Sequence, residues 1–363
     1  MSKSSIIQTQ EYQIHLTSNA GESLDKFLEK HSYSRLFVLM DENTHTHCYP
    51  LLSADSQMLS EADLLVIDPG EENKSIEIAA HLWESLTDGE ADRNSLLINL
   101  GGGLVSDLGG FVASTFKRGM DFINIPTSLL AMVDASIGGK TGINFGSYKN
   151  QIGVFAAPKI LLIDYRFLET LDESQVLSAY AEMVKHSLIS KKTHWEELSK
   201  LNSINAKSLI PFIEESIKIK KQIVDLDPKE KGLRKMLNFG HTIGHALESF
   251  YLNTEKPLLH GEAVALGMMA EIYLSAQILK FPQKEQIEIE SRFQKHYSHL
   301  FIDKRFTDDI ARLVFQDKKK DGNNLNVSLL KKIGNCEINV QLSKNQIAES
   351  INYLSHGFFN SKG

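Results

Sequence analysis

The sequence is poor in cysteine: Cys48 and Cys336 are its two, far apart in a chain of 363 residues. A disulfide-stapled secreted scaffold needs more, so a reducing compartment is expected, namely the cytoplasm. Met1–Gln13 lacks the apolar core of a signal peptide. No run approaches the roughly 20 apolar residues that a membrane helix needs, so no membrane partner is expected. Basic residues are not in excess either. The 39 Lys and Arg stand against 46 Asp and Glu, a net charge of −7, which argues against nucleic acid as a partner. At roughly 100–200 residues per domain the chain has room for two domains. A chain of this size buries a core without a structural metal, so any metal serves chemistry rather than folding.

What is present is an alternation of short apolar runs and amphipathic stretches. Arg35–Met40, Leu64–Ile67, Ser95–Leu100 and Phe122–Ile125 read as buried strands. Lys74–Leu86 and Leu104–Phe116 carry helical spacing between them. This order predicts parallel α/β layering. Between Asp134 and Asp164, Gly138, Gly139, Gly142, Gly146 and Gly153 break any helix, and Gln151–Phe155 is expected to pair with Lys159–Asp164. From Tyr165 the pattern turns helical: Glu173–Ser190, Ala206–Leu226, Arg234–Phe250, Gly261–Leu279 and Lys284–Tyr297. Leu325–Leu330 and Cys336–Val340 read as a small hairpin. An α/β domain over 1–165 and a mostly α-helical domain over 166–363 are expected.

Three segments can carry chemistry. Gly101-Gly102-Gly103 directly follows a strand and opens a helix, where free N–H groups and the helix dipole favour a phosphate. Ser106 stands where a G-x-G-x-x-G fingerprint has its third glycine, so the same residues also fit a plain tight turn. Gly138-Gly139-Lys140-Thr141 approaches a P-loop, but the first glycine is misplaced and a Walker site is not expected. Lys140 can still reach a phosphate as a point charge, with Lys149 and Asn150 nearby.

The third segment is a metal constellation. His241 and His245 lie i, i+4 on one helix face, with Asn238 expected on that face too. The zinc-protease motif has Glu after its first histidine, and Thr242 is there instead. His260 follows at the expected start of another helix, and Glu182, Lys185 and His186 share a face of an earlier one. Two histidines and a carboxylate with an open position make a catalytic zinc arrangement. Spacing does not choose among His241, His245 and His260. Lys220, Arg234 and Lys318-Lys319-Lys320 add cations suited to a small polyanionic substrate.

Taken in order, GGGLVSDLGGF, KRGMDFINIPTSLLAMVDASIGGKTGIN, YKNQIGVF, AEMVKH, GLRKMLNFGHTIGHALE and LLHGEAVALGM resemble the 3-dehydroquinate synthase family, from about Asp41 to Lys319. The resemblance implies a Rossmann-like N-terminal domain binding NAD and an α-helical C-terminal domain binding Zn2+ or Co2+, with the active site in the cleft between them. It implies conversion of 3-deoxy-D-arabino-heptulosonate 7-phosphate to 3-dehydroquinate and phosphate, with NAD used catalytically. By position, the metal ligands are Glu182, His241 and His260. His245 and Glu230 fall at acid/base positions. Lys140, Asn150, Lys185, Lys220, Arg234, Asn238 and one of Lys318 or Lys319 fall at substrate contacts. Arg118 falls where the family reaches into a partner subunit, which implies a homodimer. For NAD the matching positions are Asp41, Asn43, Glu71, Lys74, Gly102, Gly103, Asp107, Thr127, Ser128, Asp134, Lys140, Lys149 and Thr170. Ser106 replaces a common glycine of the family, and Ser128 a common threonine. Related sugar-phosphate cyclases and metal-dependent alcohol dehydrogenases share this plan. Phosphate release separates them from the dehydrogenases, and the basic set Lys140, Lys220 and Arg234 with Asn150 favours a carboxylated substrate.

Overall fold

The computed structural model describes residues 4–146, 148–252, 254–316 and 325–355. Branched and aliphatic runs build its first unit, Met1–Asp172, around a seven-stranded sheet. Its strands are β1 (Ser5–Gln8), β2 (Gln13–Thr17), β3 (Leu36–Asp41), β4 (Asp63–Ile67), β5 (Leu96–Gly101), β6 (Asp121–Pro126) and, after a separate hairpin of β7 (Lys140–Phe145) with β8 (Tyr148–Phe155), β9 (Ile160–Asp164). The order across the sheet is β1-β2-β9-β6-β5-β3-β4. All neighbours pair in parallel except β1 with β2. Central strands of a parallel sheet are covered on both faces, hence their unbroken apolar sequence. Leu96, Leu97, Ile98 and Leu100 of β5 are all but fully buried, each such side chain stabilising the fold by about 1.5–3 kcal/mol. A polar pair interrupts this core: Asn99 on β5 donates from Nδ2 to Asn124 Oδ1 across the sheet at 2.9 Å, each amide helping to satisfy the other.

Chain order reverses beside β3. From β3 the chain moves outward to β4, then returns across β3 to β5. The carboxyl ends of β3 and β5 therefore form a topological switch point, the place where open α/β sheets bind ligands. Asp41 ends β3 and Gly101 ends β5. Helix α1 (Gly103–Thr115) starts there.

The second unit, Glu173–Gly363, is mostly helical. It contains α2 (Glu173–Ser190), α3 (His241–Tyr251) and α4 (His260–Leu279), with further helices at Ala206–Leu226 and Gln283–Tyr297. Strands β10 (Leu325–Lys332) and β11 (Asn335–Leu342) form an antiparallel hairpin, as the sequence predicts. By length and composition α4 passes for a membrane span, contrary to the expectation that no run comes close. It is instead a core helix: 67% of its apolar window is buried inside the protein.

Three other expectations change. β9 does not pair with Gln151–Phe155. It inserts between β2 and β6, and the 151–155 run belongs to β8, whose partner is β7. The break between units falls after Asp172 rather than at 165. Phe167 and Leu168 are buried, and Arg166 bonds Asp164 and pairs with Asp55, which holds 165–172 to the first unit. Arg234–Phe250 is not one helix: a 3-10 turn spans Leu233–Asn238, and α3 begins only at His241. Between them Gly240 takes a left-handed φ of +81°, a conformation glycine adopts without strain.

Candidate functional site

At the switch point, α1 starts after Gly102, an N-cap residue that makes no side-chain capping bond. A Cβ on Gly102 would lie 3.4 Å from Ser128 Oγ, and one on Gly103 3.4 Å from Ala135 Cβ. Side chains there would narrow the approach, so the glycines keep the helix N–H groups open to a phosphate. Thr127 follows β6 and donates its backbone N–H to Gly101. Ser128 Oγ accepts the N–H of Ala131 in the π-helical turn that holds Asp134. Asp41 caps the short helix beside Asn43, accepting the Thr44 N–H at 2.8 Å. Thr170 donates to Phe167 O and touches Cys48.

The hairpin adds a network around one buried lysine. Lys74, 3% exposed, donates from Nζ to Asp107 Oδ2 at 2.6 Å and to Asn150 Oδ1 at 2.5 Å. Asn144 donates from Nδ2 to Glu71 Oε1 at 2.9 Å and accepts the Asn150 N–H at 2.8 Å. Glu71, Lys74, Asp107 and Asn150 thus belong to one cluster. Asn144, its connector, carries no mark in the sequence: it is one asparagine in a strand. Lys140 opens β7 and is exposed, and Lys149 is half-buried on β8. Arg118 lies apart. It follows the far end of α1, about 20 Å along that helix from the glycine turn, exposed and with a φ of +68°.

In the second unit three donors converge. His241 Nε2 lies 3.4 Å and His260 Nε2 3.5 Å from Glu182 Oε1, and the set lies within 4.8 Å of mutual distance. Missing side chains permit the approach. A Cβ on Gly261 would come within 1.8 Å of Ser178 O on α2, and one on Gly267 within 1.9 Å of Gly240 O. Helices α2, α3 and α4 therefore pack nearly backbone to backbone, which brings residue 182, the first residue of α3 and the first residue of α4 together.

The chemistry of the set suits a divalent cation. Glu182 is fully buried and pairs with Lys185, and a buried carboxylate needs compensating charge. Burial, then the charge of Lys185, holds His241 well below its ordinary pKa, so the ring is neutral near pH 7 and can act as a ligand. His241 Nδ1 faces Phe239 O at 3.3 Å, which leaves the Nε2 lone pair for the ion. Burial also opposes charge on His260, but hydrogen bonds that its ring donates to Glu182 and Glu248 outweigh it and raise its pKa to about 10; a bound cation would take the place of the Nε2 proton. His260 Nδ1 meets Glu248 Oε2 at 3.3 Å, a contact of the kind that fixes the orientation of a ligating imidazole. Glu248 belongs to none of the motifs that stand out in the sequence, although it sits on the helix face of His241, seven positions on. His245 is exposed, its ring 5.1 Å from that of His241 and 6.0 Å from that of His260.

Lys185 pairs with Glu182 of this set, and Lys220 and Arg234 are two further buried cations of the second unit. Arg234 donates from Nη1 to Pro228 O at 2.6 Å. Asn238 donates from Nδ2 to Glu230 Oε1 at 2.8 Å, so these two act as a pair. Asn238 does not share the α3 face with His241, because Gly240 breaks the backbone between them. Lys318, Lys319 and Lys320 lie outside the described residues.

A parallel-sheet unit followed by a helical unit is a fold seen in solved sugar-phosphate cyclases. A solved 2-deoxy-scyllo-inosose synthase, complexed with carbaglucose-6-phosphate, NAD+ and Co2+, superposes with a TM-score of 0.85 at 24% identity, covering 96% of this chain and 99% of that one. A 2-epi-5-epi-valiolone synthase from Streptomyces hygroscopicus, with NAD+ and Zn2+ bound, gives 0.81 at 24%, covering 97% and 99%. These likenesses define the fold. Residues 64–178 match the family described as 3-dehydroquinate synthase N-terminal, and 179–320 the 3-dehydroquinate synthase C-terminal family. The 3-dehydroquinate synthase of Parabacteroides distasonis is 42% identical over 96% of this chain and 99% of its own length. The chain belongs to the 3-dehydroquinate synthase family.

Proposed function

We propose that this chain converts 3-deoxy-D-arabino-heptulosonate 7-phosphate to 3-dehydroquinate and phosphate, a step of the shikimate route to aromatic amino acids, with catalytic NAD and a divalent ion, Zn2+ or Co2+. The observation that carries the proposal is the convergence of Glu182 Oε1 with Nε2 of His241 and His260, in a chain 42% identical to a relative of that name.

Glu182, His241 and His260 would hold the ion, and the glycine turn of the first unit would receive the dinucleotide phosphates, with Asp41, Glu71, Lys74 and Asp107 around it. Bound, the ion supplies Lewis-acid polarisation of a hydroxyl, and NAD a hydride acceptor that later returns the hydride. The chain's own residues do the rest. Lys185, Lys220 and Arg234 would offset phosphate and carboxylate charge, Arg234 being aimed by its bond to Pro228 O. Exposed His245, beside the ligand rings, is placed to exchange protons with solvent. Glu230 holds Asn238 at its amide and would orient it toward the substrate. The ketone formed by oxidation acidifies its neighbouring C–H, so a weak base, the substrate's own phosphate, suffices for elimination. Positioning is then the chain's main contribution.

A homodimer in the cytoplasm fits this reading, with Arg118, exposed on its loop, serving the partner's site. The deciding measurement is phosphate release from the heptulosonate phosphate by zinc-loaded protein with trace NAD. Phosphate in large molar excess over NAD, abolished by a chelator, is the expected result. No release would refute the proposal and direct a screen toward other sugar phosphates and simple alcohols.

A further inference from the structure

Glu271 is a charged residue in the middle of an apolar core helix, wholly buried on α4. A buried carboxylate is destabilising unless a specific contact offsets its lost hydration. The contact is visible: Glu271 Oε2 accepts the backbone N–H of Gly240 at 2.5 Å. Gly240 is the N-cap of α3 and has no side chain to cap the helix. The N–H of an N-cap residue, which in a capping box is taken by a Glu or Gln three residues into the same helix, is taken here by a carboxylate from a different helix. Its negative charge also lies at the positive end of the α3 dipole.

The next residue after Gly240 is His241. Its ring position depends on the φ of +81° at Gly240 and on how α3 enters. Gly240 is hemmed in by α4: a Cβ there would meet Met268 Cγ at 2.6 Å and Val264 O at 3.0 Å. Packing thus limits where the peptide can be, while the Glu271 bond fixes its rotation. Charge on Glu271 is also felt at Cys336, whose thiol is pushed up by burial first and by Glu271 next.

We propose that Glu271 is a positioning residue for His241, holding the Gly240 peptide so that the imidazole meets Glu182 and His260 in ligand geometry. This rests on the metal reading given above. The test uses the full-length chain, stripped of metal and titrated with Co2+ alone, with the visible cobalt spectrum and the Co2+ affinity as readouts. Variants are Glu271→Leu, Glu271→Asp, Glu271→Gln and His241→Ala. His241→Ala should lose the spectrum. Glu271→Leu and Glu271→Asp should shift the band and weaken Co2+ binding about tenfold to hundredfold, because Leu has no acceptor and Asp falls short of the Gly240 N–H. Glu271→Gln keeps an acceptor at the same reach and should restore both. If Glu271→Leu does not fold, Glu271→Asp decides. Wild-type spectrum and affinity in Glu271→Asp, with loss in His241→Ala, would overturn the positioning role alone. Cobalt binding unaffected by His241→Ala would overturn the metal assignment and this inference with it. Amide exchange over 240–244 in the metal-free protein gives a metal-independent check, faster in Glu271→Leu and Glu271→Asp.

Discussion

Glu248 and Glu182 face opposite edges of one imidazole: His260 Nδ1 lies 3.3 Å from Glu248 Oε2 and its Nε2 3.5 Å from Glu182 Oε1. Glu248 itself is 6% exposed, so the ring is held between two buried carboxylates. Glu248→Ala should therefore weaken Zn2+ binding about tenfold to hundredfold without removing a ligand. His260→Ala should abolish it. Competition with a chromogenic chelator measures both. Equal affinities for wild type and Glu248→Ala would contradict the orienting role.

Lys74 is bound to Asp107 and Asn150, its own side chain 4% exposed and that of Asp107 20%. Lys74→Met leaves Asp107 without that charge. A loss of about 3 kcal/mol is expected in urea unfolding, since breaking one side of a buried pair strands the other. Asp107→Asn with Lys74→Met should recover part of it. A loss of the single variant within experimental error would mean that the network only decorates the fold.

His194 is buried with Nε2 3.1 Å from Ser216 Oγ. Burial lowers its pKa to about 4 from the usual 6.5, against the opposing pull of Glu215. Unfolded, the ring takes a proton below pH 6.5; folded, it does so only below about 4. Stability from this residue is whole above pH 6.5, falls as the pH drops through that window, and stops falling below it. The loss amounts to about 3 kcal/mol. Urea midpoints at pH 7.5 and 4.5 should differ less in His194→Gln than in wild type. The same pH difference in both proteins would disprove the assignment.

Gly267→Ala puts a methyl group 1.9 Å from Gly240 O. Overpacking at a backbone contact should cost about 2–3 kcal/mol. It should also spread α3 from α4, with weaker metal binding. Gly232→Ala, whose Cβ meets nothing nearer than 3.8 Å, serves as a control for the substitution itself. Wild-type metal affinity in Gly267→Ala would show that the ligand geometry tolerates separation of the helices.

The sequence made the interior of this fold legible and its edges obscure. β3, β5 and β6 are apolar on both faces, so their runs stand out, and β5 was expected within one residue of Leu96–Gly101. β1 and β2 mix polar and apolar residues in short segments and carry no such signal. The partners of β9, β2 and β6, lie far from it in sequence, and its local pattern does not distinguish them from the adjacent 151–155 run. The site shows the same division. His241, His260 and Glu182 stood out as residue types. What holds them, including the Gly240 turn, Glu248, Glu271 and the Asn144 connector, depends on contacts between elements far apart in sequence.

The position of β9 also bears on the order of events during synthesis. β2 lies near the start of the chain, yet its parallel partner is Ile160–Asp164. The β1–β2 pair alone is a two-stranded hairpin, which is marginal in water. At about 5–20 residues per second the ribosome needs on the order of ten to thirty seconds to supply β9. For that interval the amino-terminal hairpin waits without its neighbour, exposing Ile14 and Leu16, which the finished sheet covers completely or nearly so. Strands made well before β9 are thus among the last to be locked into the sheet.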